Sequence, residues 1–179
     1  MAVKKILILG NSKLYNPSSG VRKKELKDID KVIEDLHDTL MDFRKRYSAG
    51  RAIAAPQIDV FKRIIYMNIN KPIVILNPKI EYIGDEKIEI WDDCMCFPGL
   101  KVKVLRHKQC KIYYKDLQWN DYEMELLDDL SELIQHECDH LDGILAVQRA
   151  VDNKSFKLDI KRPRKTRHLA ADYPSSIKR

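Results

Sequence analysis

The stretch Gln135-His136-Glu137-Cys138-Asp139-His140 sets two imidazoles four positions apart, with a carboxylate next to the first. On a helix, His136 and His140 fall one turn apart on one face, where both can donate to a single metal ion. Glu137 is then placed to take a proton from water on that ion. The chemistry implied is hydrolysis. Two histidines leave a catalytic metal one protein ligand short of the usual three. Downstream there is no glutamate after Glu137, position 146 is Ala146 rather than a histidine, and the one later histidine, His168, lies in a basic tail. The third ligand is therefore expected upstream, and Trp91-Asp92-Asp93-Cys94-Met95-Cys96-Phe97-Pro98-Gly99 offers a thiol.

Holding these groups in place requires a helix anchored by an apolar face. Leu126, Leu127, Leu130, Leu133, Ile134 and Leu141 recur at steps of three and four and predict one, with Gly143 as its stop. A second helix is predicted over residues 28–47, where Ile29, Val32, Ile33, Leu36, Leu40 and Phe43 form a stripe. His37 lies off that stripe and reads as a surface residue. Residues 48–57 break the helix. Residues 63–69, 73–76, 87–91, 101–105, 110–114 and 122–126 are rich in Ile, Val or Tyr and read as strands. Alternation such as Lys101-Val102-Lys103-Val104 gives the sheet one wet face. Asn77-Pro78, Gly84-Asp85, Pro98-Gly99 and Asn120-Asp121 supply turns. Residues 4–10 are an apolar, extended run, and 11–20 form a loop. The expected fold class is α+β, with mostly antiparallel β-sheets packed around a central metal-binding helix and an N-terminal helix.

The chain has 179 residues, enough for one domain with a real core. The expected boundary puts a metallohydrolase domain at 1–150 and a basic tail at 151–179. A net charge of +6 gives some attraction to polyanions, but acids and bases are interleaved over most of the length. The exception is Lys161-Arg162-Pro163-Arg164-Lys165-Thr166-Arg167-His168, which suits a solvated terminus or contact with RNA phosphates such as those at the ribosome surface. No apolar run is long enough to span a membrane, and no signal peptide is visible. The four cysteines, Cys94, Cys96, Cys110 and Cys138, are read as reduced thiols of a cytoplasmic protein. Cys138 falls on a side of the helix away from the histidines and reads as a small buried residue.

Three blocks in order, Gly50-Arg51-Ala52-Ile53-Ala54-Ala55-Pro56-Gln57, Asp92-Asp93-Cys94-Met95-Cys96 and Gln135 to His140, resemble those of the peptide deformylase family. The family's patterns are G-x-G-x-A-A-P-Q, E-G-C-L-S and Q-H-E-x-D-H; Leu141-Asp142-Gly143 extends the third in the family's manner. The resemblance implies a metal site of Cys94, His136 and His140, with Glu137 as general base. It implies Gln57 and the backbone N–H of Met95 as donors to the oxyanion, an N-formyl-methionyl peptide as substrate, and ferrous iron as the metal. Zinc, nickel or cobalt are the other occupants suited to such donors. The family pairs the carboxylate at position 92 with an arginine twelve residues after the cysteine, which here is Arg106, and Gln135 is expected to support the first histidine. The methionine pocket is expected to be apolar, with Ile134 and Leu133 as candidates.

Three positions depart from the pattern: Ala52 and Asp93 stand where the family has glycine, and Cys96 where it has serine. Ala52 and Asp93 are expected to alter the peptide path, and Cys96 to be able to trap Cys94 as a disulfide. Two other readings fit the same residues. One is a metal amidase acting on another N-acyl group. The other is a non-catalytic relative that binds nascent chains or ribosomal RNA.

Overall fold

A computed structural model describes residues 2–159. It contains α1 (Leu26–Tyr47), β1 (Ala52–Ala54), β2 (Ile64–Asn68), β3 (Pro72–Tyr82), β4 (Lys87–Asp93), β5 (Leu100–His107), β6 (Gln109–Lys115), β7 (Asp121–Leu127), α2 (Asp128–Leu141) and β8 (Phe156–Leu158). All strand pairs within the two sheets are antiparallel. One sheet runs β1-β2-β3-β6-β7 and the other β4-β5-β8. The helix α2 touches strands of both sheets, and α1 covers β1 and β2. The α+β expectation, with a central helix carrying the two histidines, is what the structure shows.

Two apolar clusters hold this arrangement. Leu36, Leu40 and Phe43 of α1 meet Ile53, Ile64 and Leu76, and the same cluster takes in Val102 and Val104 of β5. Ile134, Cys138 and Leu141 of α2 meet Ile65, Ile75, Cys110 and Ile112 of the larger sheet. In β5 the buried positions are Val102, Val104 and Arg106, while Leu105 between them is exposed, as a two-residue period requires. Thus α2 is clamped between sheets, and every residue from Ser131 to Leu141 is buried.

Several local expectations are corrected. Leu126 and Leu127 end β7 rather than begin the helix, because the chain turns into α2 at Asp128 with no loop between. The backbone there has φ +51°, and the Asp128 N–H bonds the Lys108 carbonyl at 2.8 Å. Asn77-Pro78 is a bulge within β3 rather than a turn. Asn77 adopts φ +52°, and its side-chain amide pairs with both the N–H and the carbonyl of Val21, at 2.8 and 2.9 Å. Residues 52–54 form a short strand inside the segment read as a break. Residues 4–10 form no ladder, yet Leu7 and Leu9 donate N–H bonds to the carbonyls of Gln57 and Cys96. β8 pairs with β5 through Val102 and Phe156. The basic run 161–168 lies outside the described residues.

His37 is half-buried rather than a surface residue. Its Nδ1 lies 2.6 Å from the Tyr66 hydroxyl, with the two rings edge to face.

The stop after α2 has a definite cause. Gly143 has φ +73°, and a Cβ there would lie 2.5 Å from the Tyr15 carbonyl oxygen. Only glycine allows both the left-handed turn and so close a backbone approach.

Candidate metal centre and active site

The turn that follows β4 carries Cys94, and α2 carries both histidines. Cys94 Sγ lies 3.2 Å from His140 Nε2, which in turn lies 3.2 Å from His136 Nε2. An ion bound tetrahedrally at about 2.0–2.1 Å from nitrogen and 2.3 Å from sulfur needs donor separations of roughly 3.3–3.6 Å. These two separations fit such a site within a few tenths of an ångström, and all three donor atoms lie within 4.8 Å of one another. The chemistry of the donors fits as well. Burial pushes the Cys94 thiol well up, and a thiol in that position becomes a metal ligand only beside a cation.

The histidines differ in their surroundings. Burial acts to lower the pKa of His136, but the Asp92 carboxylate outweighs it and pushes the ring up to about 10. The two Asp92 oxygens lie 2.9 and 3.0 Å from His136 Nδ1. That contact holds Nδ1 and directs Nε2 toward Cys94 and His140. His140 is pushed well down by burial and by the charge of His136, which keeps a lone pair free. Burial would raise Asp92, yet His136 and Arg106 hold it below the usual carboxylate range.

The expected Asp92–Arg106 pair forms, at 3.1 Å. Arg106 also reaches Asp139 at 2.5 Å, and Arg149 reaches Asp139 at 2.9 Å. The chain of charges thus ties β4, β5, α2 and the turn after α2 into one brace. Gln135 joins the brace differently: its amide bonds both the N–H and the carbonyl of His107, at 3.0 and 2.8 Å, and so pins α2 to the end of β5.

Glu137 is 3% exposed, and its Oε2 has no hydrogen-bond partner among the described residues. Burial pushes its carboxyl up to about 7. Gln57 is oriented without ambiguity. Its Oε1 accepts the Ala54 N–H at 2.8 Å, which leaves Nε2 facing Cys94 Sγ at 3.7 Å and Cys96 Sγ at 3.5 Å. The N–H of Met95 bonds no other described residue, and Met95 lines the same cavity as Gln57, His136 and Glu137. That cavity is about 360 Å³. Cys96 is fully buried, with its N–H 3.4 Å from Cys94 Sγ, and all four thiols are free.

A family model described as Polypeptide deformylase matches residues 3–156. The chain belongs to this family. A peptide deformylase 1 of Prochlorococcus marinus (strain MIT 9313) is 35% identical over 170 residues, covering 87% of this chain and 85% of that protein. The crystal structure of peptide deformylase from Thermotoga maritima superposes with a TM-score of 0.77 at 28% identity, over 85% of this chain and all of that one. A class I type b peptide deformylase of Acinetobacter baumannii, solved with Met-Ala-Ser bound, gives 0.75 at 26% identity, over 83% of this chain and 98% of that one.

The cavity wall differs from the one the sequence suggested. Leu133 lines it, but Ile134 does not; Ile134 packs toward the larger sheet. Arg51 and Glu132 line it in addition. Neither was singled out from the sequence. Glu132 stands four residues before His136, and that spacing on one helix face was the signal available. Ala52 and Asp93 also line the cavity, Ala52 buried and Asp93 exposed.

Proposed function

We propose that this chain hydrolyses N-terminal formyl groups, taking formyl-methionyl peptides and releasing formate and the free amine. What carries the reading is the meeting of Cys94, His136 and His140 at one point, in a cavity shared by Glu137 and the Gln57 amide. Family membership and the relative holding Met-Ala-Ser, a deformylated peptide, support it.

Cys94, His136 and His140 would hold one divalent ion. Such an ion would supply Lewis acidity, polarising the formyl carbonyl and easing loss of a proton from water. Glu137 takes the proton from the attacking water and hands it to the leaving nitrogen. Its burial and its unpartnered Oε2 suit that shuttle. Gln57 Nε2 and the Met95 N–H donate to the oxygen as it gains charge. Asp92 keeps the His136 ring in one orientation while this happens.

A thiolate among the donors favours a softer ion than an all-oxygen set would, and ferrous iron is the proposed occupant, with Zn²⁺, Ni²⁺ and Co²⁺ as substitutes. A cytoplasmic setting agrees with four free thiols. Among the described residues no helix is long and apolar enough to cross a membrane. The basic run 161–168 is proposed to contact ribosomal RNA phosphates. Salt-sensitive ribosome binding that disappears on truncation after Asp159, which keeps β8, is the expected result; salt-independent binding rules the contact out.

The deciding experiment is formate release from formyl-Met-Ala-Ser by protein purified without oxygen and loaded with ferrous iron. Glu137→Ala should keep its metal and lose about a hundred- to ten-thousandfold in rate. Equal rates in the two proteins would remove Glu137 from the mechanism.

A further inference from the structure

The cavity beside Glu137 is the place a substrate's side chain must enter, and its wall does not suit methionine alone. Phe43, Ile90, Trp91 and Leu133 supply apolar surface. Among them sits Glu132, whose side chain is 6% exposed. One ionic partner is in reach, Arg51 Nη2 at 3.6 Å, beyond hydrogen-bond distance. Arg51 is itself 40% exposed, and its Nη1 is engaged by Asp129 at 2.7 Å. Glu132 makes no hydrogen bond to the other described residues. A ligand-type oxygen of Glu132 lies within 4.8 Å of those of Asp92 and His136, so the carboxylate stands beside the reacting centre.

A mostly buried carboxylate with no protein hydrogen bond is costly unless water or a ligand meets it, and a leucine there would pack without that cost. A side chain that fills the cavity displaces that water and is left to supply the partner. Asp93 at the exposed rim is a second carboxyl facing the cavity, and Arg51 is already shared with Asp129. The cavity therefore offers an entering side chain apolar contact along its stem and an acceptor at its end.

We propose that Glu132, helped by Asp93 and tempered by Arg51, tunes this site toward N-formyl compounds whose neighbouring side chain carries a cationic or hydrogen-bond-donating tip. The inference rests on the deformylase reading and concerns which formamide is preferred. The reaction is unchanged: water adds to the formyl carbon, the C–N bond breaks, and formate and a free amine leave, with the proton going to nitrogen. Glu132 is a specificity-determining residue that binds the side chain and takes no part in the proton transfer.

The test compares formyl-Lys-Ala-Ser, formyl-Gln-Ala-Ser, formyl-Met-Ala-Ser and formyl-norleucyl-Ala-Ser with iron-loaded full-length protein. The wild type should show kcat/KM at least about tenfold higher for the lysyl than for the norleucyl peptide, mostly in KM. Glu132→Leu should reverse that order. Glu132→Gln, nearly isosteric, should lose the lysyl preference and keep the glutaminyl peptide. Arg51→Ala should sharpen the lysyl preference, since Glu132 then lacks its counter-ion. Calorimetry supplies a readout apart from turnover: Lys-Ala-Ser, the product, should bind the wild type about tenfold more tightly than Glu132→Gln. If Glu132→Leu fails to fold, the glutamine variant and the calorimetry decide.

A wild-type preference for methionine or norleucine that Glu132→Leu leaves unchanged would overturn the inference and leave the deformylase reading standing. No formate from any of the four peptides, with one metal ion bound per chain, would overturn that reading and the inference with it.

Discussion

The carboxylate of Asp92 straddles Nδ1 of His136, with its oxygens 2.9 and 3.0 Å away, while Arg106 donates to the Oδ2 of the same carboxylate at 3.1 Å. A ring fixed in this way presents Nε2 to the ion in one orientation. Asp92→Ala should weaken metal binding about ten- to a hundredfold, measured by competition with a chelator. It also leaves buried Arg106 with Asp139 alone, so the metal-free variant should lose roughly 3 kcal/mol on urea unfolding. Unchanged metal affinity would show that the ring needs no such support.

Gln57 acts, in the proposed mechanism, only once charge develops on the formyl oxygen. Gln57→Ala should therefore lower kcat by about a hundred- to a thousandfold with KM and metal content nearly unchanged. A rise in KM alone would make Gln57 a substrate clamp instead.

Gly143 lets the chain leave α2 against the backbone of Tyr15. Gly143→Ala should cost at least about 2 kcal/mol, since the left-handed backbone and the close carbonyl both resist a side chain. Gly84 is the control: its φ is +69°, but nothing lies within 4 Å of an added Cβ. Gly84→Ala should cost only the backbone part, about 1 kcal/mol. Equal losses by thermal unfolding would mean that the Tyr15 contact relaxes freely.

Glu25 offers a pH signature far from the metal. Hydrogen bonds from Arg22 and then Lys62 hold its carboxyl down at about 2. A depressed carboxylate stabilises the fold above its unfolded value near 4.5, and that stabilisation is lost as pH falls through about 2. Glu25→Gln should thus be less stable than the wild type at pH 6, and the gap should close between about pH 4.5 and 2. A gap that persists at pH 2 would assign the loss to packing.

Much of the site could be read from the chain because its donors sit in short, spaced blocks. His136, Glu137 and His140 follow from one helical turn, and the Cys94 and Gln57 blocks from resemblance. The Asp92–Arg106 pair was legible too, but only through the resemblance, which places an arginine twelve residues after Cys94. What escaped notice was decided by tertiary approach. Glu132 and Arg51 are 81 positions apart and ordinary in composition, and only the packing of α2 beside β1 puts both in one wall. Leu126 and Leu127 continued a helical period by chance, while the positive φ of Asp128 set the true corner. His37 looked like a polar residue off a stripe because its partner, Tyr66, lies on another element.

The metal donors come from places distant in the chain, with Cys94 and His140 46 positions apart. At about 5–20 residues per second, synthesis leaves the thiols of the 94–96 turn without α2 for roughly two to nine seconds. It follows that Cys94 and Cys96 are most open to oxidants and stray ions while the chain is still being made. Once α2 docks, Cys96 is fully buried and Cys94 is reached only through the cavity it lines.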